Sequence, residues 1–314
     1  MPDTTRVLCR TAPRTQGIKP PSLSLRFPDR GFALRNATTR FRYLDKWSDP
    51  RTWRDEERPR AGDSVIIPDG QAIMLDVSAD VFLVLVQGLL VVDHRDLSLD
   101  AHYIWVHGGE MEIGREDEPH PARVTVTLKG TRFGSVEIPF VGAKVLAVSN
   151  EGGLGAVNIH HRVGRLDIHG QPHVNYARLL VTAVNNSNRV LVDRVVDWKP
   201  GETLVFMNPV EEATLLAVEG TTLVLERPLR AEHFTTTYDF PFDGYPKSEW
   251  KTELPSYVMT LWRGIKIQGD EESELAQFGC RTGAFFGGIY RITNTEFFRC
   301  GQAGLLGGYP THSP

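Results

Sequence analysis

AGDSVIIPDGQAIMLDV (61–77), FLVLVQGLLVVD (82–93), LSLDAHYIWVHGGEMEIG (97–114) and ARVTVTLKGT (122–131) follow one another with little between them. Each holds short runs of β-branched and aliphatic residues that end near Gly, Asp or Pro. None has the three-to-four spacing of a helix face. Several of the glycine-bearing turns, DG (69–70), QG (87–88), GG (108–109) and KG (129–130), recur at intervals of about 20 residues, close to the period of a solenoid repeat. A glycine at such a corner permits a tight bend.

The same texture continues to the C-terminal end, through KVLAV, RLDI, RVLV, TLVF, TTLVL, YVMTLW and IKI. Many of these runs hold consecutive apolar residues, as expected of strands covered on both sides. Two architectures suit this: a β-sandwich and a right-handed parallel β-helix. The sandwich needs NG or DG hairpins and strict alternation. The glycine spacing favours the β-helix. The longest apolar run, Val81–Val92, is interrupted by Gln87 and Gly88 and reads as a buried strand pair. It is too short for the roughly 20 residues of a membrane span.

With 314 residues, 41% apolar composition and a formal charge of −4, the chain is globular and nearly neutral. That balance argues against nucleic acid as a partner. The first 43 residues, rich in Arg, Pro, Ser and Thr, read as a disordered tail. A transit peptide has a similar composition, and no signal-peptide core is visible. Three cysteines, Cys9, Cys280 and Cys300, do not make a disulfide scaffold. Cys280 and Cys300 lie one repeat apart and could pair, but two buried free thiols are the reading we favour. Glu151–Gly155 is a glycine-rich connector, and 233–255 is a long aromatic and Pro-rich loop of the kind that often carries function.

Taken together, WSDPRTW (47–53), PRAGDSVIIPDGQAIMLD (59–76), VQGLLVVD (86–93), LSLDAHYIWVHGGEMEIGREDEPH (97–120) and VTLKG (126–130) resemble the G8 domain. Gly62, Gly70, Gly88, Gly108, Gly109, Gly114 and Gly130 stand where that family's glycines are expected. Further on, LDIHGQP (166–172), VVDWKPGETLVF (195–206), VEGTTLVLERPLRAEHF (218–234), IKIQGD (265–270) and TEFFRCGQAGLLGGYPTH (295–312) resemble the β-helix that follows G8 in fibrocystin-like proteins and in the cell-migration-inducing hyaluronidase and its transmembrane relative. The resemblance implies an all-β chain: a disordered tail over 1–43, a G8 domain over 44–165 continuous with or capping a right-handed parallel β-helix, and a shortened start of that helix over 166–314.

The hyaluronidase branch carries a lectin-like insert between the HG and W-x-x-G-D/E strands. Only 26 residues separate Gly170 from Asp197 here, so that insert is absent and the fibrocystin-like branch is closer. The family's GGH is GGI at Gly287–Ile289. Its YPIHFH is YPTHSP, which keeps His312 and lacks the next histidine.

Candidate site residues are few. His160, His161, His169 and His173 cluster in VNIHHRVGRLDIHGQPHV, and His169 and His173 are the candidate metal ligands, though no zinc spacing accompanies them. Asp193 and Asp197, four residues apart on one strand face, are a candidate acid–base pair, with His169 and His312 as further catalytic candidates. Tyr245 and Trp250 in the long loop could stack on sugar rings. Arg178 and Arg194 could hold carboxylates, within an arginine set that includes Arg162, Arg165 and Arg189. GDEES (269–273) reads as a solvated turn, and Trp47, Trp53 and Trp198 as core packing. No cofactor is expected, Ca²⁺ being the one ion this chemistry leaves room for. The expected function is a non-catalytic extracellular or cell-surface module that binds a glycan, such as an acidic polysaccharide, or an extracellular protein. The alternative, implied by the resemblance alone, is a hyaluronan- or polysaccharide-degrading enzyme.

Overall fold

The computed structural model describes residues 26–27, 31–32, 43–54, 57–152, 162–239 and 251–313. Their regular structure is almost entirely strand. Among them the only helical turns are Pro50–Trp53 and Ser273–Ala276. Within the expected tail, Arg26–Phe27 pairs antiparallel with Gly31–Phe32.

Three sheets hold parallel strands. The first contains Ser64–Ile67, Leu83–Val86, Tyr103–His107, Val145–Ser149, Arg281–Phe285 and Thr311–His312. The second contains Asp45–Lys46, Ala72–Leu75, Leu89–Val92, Glu110–Ile113, Arg165–His169 and Ile289–Thr293. The third contains Ala79–Asp80, Leu97–Ala101, Val124–Leu128, Ile265–Gly269 and Thr295–Phe298. From Ser64 onward the chain visits first, second and third sheets in rotation, so each circuit stacks in register on the one before.

The inward side chains form continuous ladders: Val84, Ile104 and Leu146 in the first sheet, Leu90, Met111 and Leu166 in the second, Leu99, Val126 and Ile267 in the third. All nine are fully buried in one cluster. Neighbouring strands lie about 4.8 Å apart, so like-sized aliphatic side chains pack directly on one another. Trp47 closes the early end of this core, with Trp53 against it at 5.1 Å, edge to face.

The run Val81–Val92 is two strands, but they do not pair with each other. Gln87–Gly88 is a corner between the first and second sheets. Close approach explains its glycine-rich neighbours. A Cβ on Gly109 would lie 2.5 Å from Val86 O and 2.6 Å from Gly88 O, the backbone of the preceding circuit. Gly114 is constrained twice, by a φ of 72° and by His120 and His169 backbone atoms.

The described residues between Tyr176 and Thr260 depart from the parallel strands expected after residue 166. They form an antiparallel sheet in the order Tyr176–Arg178, Tyr257–Thr260, Thr203–Phe206, Glu211–Glu219, Thr222–Leu225, Arg189–Leu191. This unit has its own core of Leu179, Val190, Leu204, Phe206, Leu215 and Val258. Val124–Leu128 pairs directly with Ile265–Gly269, so the rotation resumes where it stopped. The runs in the unit were misread because TLVF or TTLVL has the same composition in either kind of sheet, and Gly220, at φ 63°, turns a hairpin without an NG or DG signal.

The expectation of free thiols is also overturned. Cys280 and Cys300 form a disulfide, with Cα atoms 4.2 Å apart. Their separation of 20 residues is one circuit, which places them as parallel bridge partners.

Candidate functional site

The antiparallel unit joins the parallel sheets through a polar knot whose His173 and Glu202 are buried and whose Asp197 is half exposed. His173 Nδ1 lies 3.0 Å from Asp197 Oδ2, and its Nε2 lies 3.2 Å from Glu202 Oε2. Glu202 also accepts from the Thr260 hydroxyl (2.9 Å) and the Lys199 N–H (3.0 Å), and Asp197 accepts from the Val174 N–H (2.9 Å). Trp262 stands edge-on to His173 at 5.1 Å, with the Arg123 and Lys199 cations over its ring at 5.8 and 5.7 Å. A buried carboxylate is tolerated only with such saturation of its lone pairs.

Beside this knot opens a cleft of about 550 Å³, lined by Tyr176, Tyr257 and Met259 from the unit, by Leu261 and Arg263 just after it, and by Thr295 and Glu296 from the third sheet. Tyr176 and Tyr257 meet edge to face at 5.8 Å. Arg194 lies 5.9 Å over Tyr176. The Arg263 guanidinium donates to Thr260 O and Trp262 O and so stiffens the cleft wall. Half-exposed tyrosine faces beside cations and hydroxyls are groups that can stack on, and hydrogen-bond to, a sugar ring.

A second groove, of about 310 Å³, runs over the outer face of the second sheet. In-register pairing sets Glu110 beside Arg165 and Glu112 beside Asp167 and then Arg291. Arg291 Nε reaches Asp167 Oδ1 at 3.1 Å, while His169 Nε2 stands 3.8 Å from the same atom and its Nδ1 lies 2.9 Å from the Thr293 hydroxyl. Glu110 and Arg165 are opposite charges on adjacent rungs, whereas Glu112 and Asp167 are like charges that Arg291 offsets on the next rung.

The expected sites are therefore dispersed. His169 belongs to the second-sheet groove and His173 to the knot, each with its own partners. Among the described residues, no three His, Cys, Asp or Glu side chains converge as a metal site. Asp193 and Asp197 also differ in partners. Arg194 binds Asp193 through Nε (3.1 Å) and Nη2 (2.9 Å), and the Arg178 N–H donates to it at 3.0 Å. The Arg194 hydrogen bonds, against a smaller effect of burial, hold the Asp193 carboxyl below its ordinary value, which does not suit a general acid. His312 pairs at the edge of the first sheet, its ring 5.7 Å from Tyr309 and 6.3 Å from Phe285.

Arg162 binds Glu151 and Asp69, and Arg189 binds Glu219, so the arginines do not form one stripe. Gly62, Gly70, Gly108 and Gly130 all have positive φ, whereas Gly88 is a site of close backbone approach. Tyr245, Trp250, His160 and His161 lie outside the described residues.

Two constellations were missed in the sequence. Lys144, 1% exposed, donates to Asp270 Oδ1 (2.7 Å), Ser273 Oγ (2.9 Å) and Gly130 O (3.1 Å), so the GDEES turn is anchored rather than merely solvated. His107 Nδ1 lies 3.0 Å from Ser149 Oγ, which accepts from Trp105 Nε1 at 2.9 Å. Ser149 is fully buried, so this dyad offers no nucleophile to solvent. A lone lysine within GAKVLAV and a serine within AVSN carry no signal of either contact.

The G8 domain family matches residues 52–180. Human Fibrocystin-L is 31% identical over 324 residues, covering 87% of this chain and 7% of its own length. The chain belongs to the G8-domain family. Dog Fibrocystin is 31% identical over 247 residues, 73% of this chain and 5% of that protein. Communication mutant protein F of Dictyostelium discoideum is 21% identical over 288 residues, 86% of this chain and 23% of its own. This G8-domain chain thus spans only a small part of its fibrocystin-like relatives. Among its described residues, no helix is long and apolar enough to cross a membrane.

Proposed function

We propose that this chain is a non-catalytic, extracellular or cell-surface module of the fibrocystin-like kind, and that it binds a glycan. In this reading the three rotating sheets are the faces of a right-handed parallel β-helix. The G8 domain, over 44–165, forms its first circuits, and the helix continues from residue 166 around the antiparallel unit. The observation that carries the function is the tyrosine-lined cleft at the root of that unit, where Arg263 lines the wall with Tyr176 and Tyr257 and Arg194 lies over the Tyr176 ring. An acidic polysaccharide offers the ring faces and carboxylates that such groups recognise. The Cys280–Cys300 disulfide supports an oxidising compartment.

The test is to incubate the purified chain with fluorescent hyaluronan as the probe, with and without Ca²⁺, and to follow its size and co-elution. Co-elution without shortening supports the proposal. Shortening replaces it with the polysaccharide-degrading enzyme. Neither result leaves the cleft for a protein ligand and ends the glycan reading for this polymer.

A further inference from the structure

We propose that Asn185 is an N-linked glycosylation site that this chain uses on entering the secretory pathway. The inference rests on the extracellular reading above. Asn185-Asn186-Ser187 is an Asn-x-Ser acceptor sequence with no proline at the central position. The structure sets it on an exposed turn of the antiparallel unit. The Ser187 N–H closes the turn onto Val184 O at 3.2 Å, Asn186 takes the left-handed conformation at φ 64°, and the Asn186 N–H donates to Leu229 O at 2.9 Å. Asn185 and Asn186 are both exposed. A large polar substituent at Asn185 therefore projects into solvent and disturbs no core contact.

A second observation points the same way. Several apolar side chains near the turn are exposed. Val181 and Val184 are each 56% exposed, and Phe234 is 61% exposed. The antiparallel bridge between Ala183 and His233 sets Phe234 opposite Thr182 and Val184 opposite Glu232, and the Leu180 N–H donates to Leu191 O, pairing two more exposed leucines on the unit. A hydrated oligosaccharide rooted at Asn185 shields the neighbouring exposed Val184 without needing a protein partner.

The reaction uses a lipid-diphosphate-linked oligosaccharide as donor. Asn185 Nδ2 forms a bond to the anomeric carbon, the bond from that carbon to the phosphate oxygen breaks, the lipid diphosphate leaves, and the amide loses one proton to a base of the transferase. No redox change occurs.

The full chain is expressed in mammalian cells behind a secretion leader and treated with peptide-N-glycosidase in ¹⁸O-water, and its peptides are mapped. Asn185 is expected to return as labelled Asp, N185Q and S187A to lose that label and one step of gel mobility, and S187T to retain both. The bare variants are expected to bind an apolar dye more strongly. Unmodified Asn185 in folded, secreted protein overturns the inference. Asn36-Ala37-Thr38, outside the described residues, is a second acceptor sequence in the same chain, and labelled Asn36 beside bare Asn185 is the clearest such outcome. Protease protection of the endogenous chain tests the location separately. A cytosolic result there ends the extracellular reading, whereas occupancy of leader-directed protein reports on Asn185 alone.

Discussion

Lys144→Ala removes the one cation of a buried knot that ties the third sheet to the first. The ammonium is 1% exposed and donates to a carboxylate, a hydroxyl and a carbonyl, all within 3.1 Å. Its loss strands the Asp270 carboxylate, which keeps only the Gly130 N–H and the Ser273 hydroxyl. Breaking a buried pair from one side costs about 3–5 kcal/mol, and the lower end applies because Asp270 retains 24% exposure. Lys144 is at φ 53°, and alanine meets the same backbone preference, so backbone strain does not confound the comparison. A loss of about 3 kcal/mol corresponds to a fall in Tm of about 4–5 °C for a chain of this size. Differential scanning calorimetry reads this, and a fall under about 1 °C refutes the reasoning. The double variant Lys144→Met/Asp270→Asn is expected to be more stable than the sum of its single changes implies, by at least about 1 kcal/mol. The sign with pH follows. Burial raises the Asp270 carboxyl, but the Lys144 hydrogen bond and charge more than offset this and hold it below its ordinary value. The stability it adds is complete above the unfolded value of about 3.9 and is lost as pH falls through the lower folded value, so D270N flattens the acid limb of the stability profile.

Gly109→Ala forces a Cβ onto the carbonyls of Val86 and Gly88 and is expected to cost about 1–3 kcal/mol. Gly201→Ala, at φ 88° with open space around it, costs about 1 kcal/mol by backbone strain alone. A melt that ranks them the other way contradicts the stacking of circuits. Cys300→Ser is expected to lose about 3 kcal/mol, read as a lower denaturation midpoint, and wild type under reductant follows the same curve. Tyr176→Ala and Tyr257→Ala each weaken retention of the labelled polysaccharide about five-fold, for about 1 kcal/mol of lost ring contact. Equal retention moves the ligand elsewhere.

The circuits were legible because a buried strand between two others leaves a plain record: Val, Ile and Leu at alternate positions, with a glycine where one corner crosses the next. Ser64–Ile67, Leu83–Val86 and Leu97–Ala101 all carry it. The antiparallel unit was not legible, since Thr203–Phe206 and Glu211–Glu219 record burial and not the direction of their neighbours. The candidate site was legible only in its types. Arg194 was singled out, yet the Tyr176–Tyr257 pair joins residues far apart in sequence, and the Asp193/Asp197 spacing said nothing of Arg194 and His173 claiming one carboxylate each. Contacts such as Lys144 to Asp270 follow from where the rotation resumes after the unit, which no local pattern encodes.

That resumption is open to a direct measurement. Thr125 and Lys266 are in-register neighbours on the outer face of the third sheet, with the whole antiparallel unit between them in sequence. In a Cys9→Ser background, Thr125→Cys/Lys266→Cys is expected to form a disulfide in air, found by non-reducing peptide mapping, since neighbouring strands fall within disulfide reach. Thr125→Cys/Gln268→Cys, two residues out of register, is expected to stay reduced. Equal cross-linking of both pairs, or none at the in-register pair, contradicts the rotating parallel sheets.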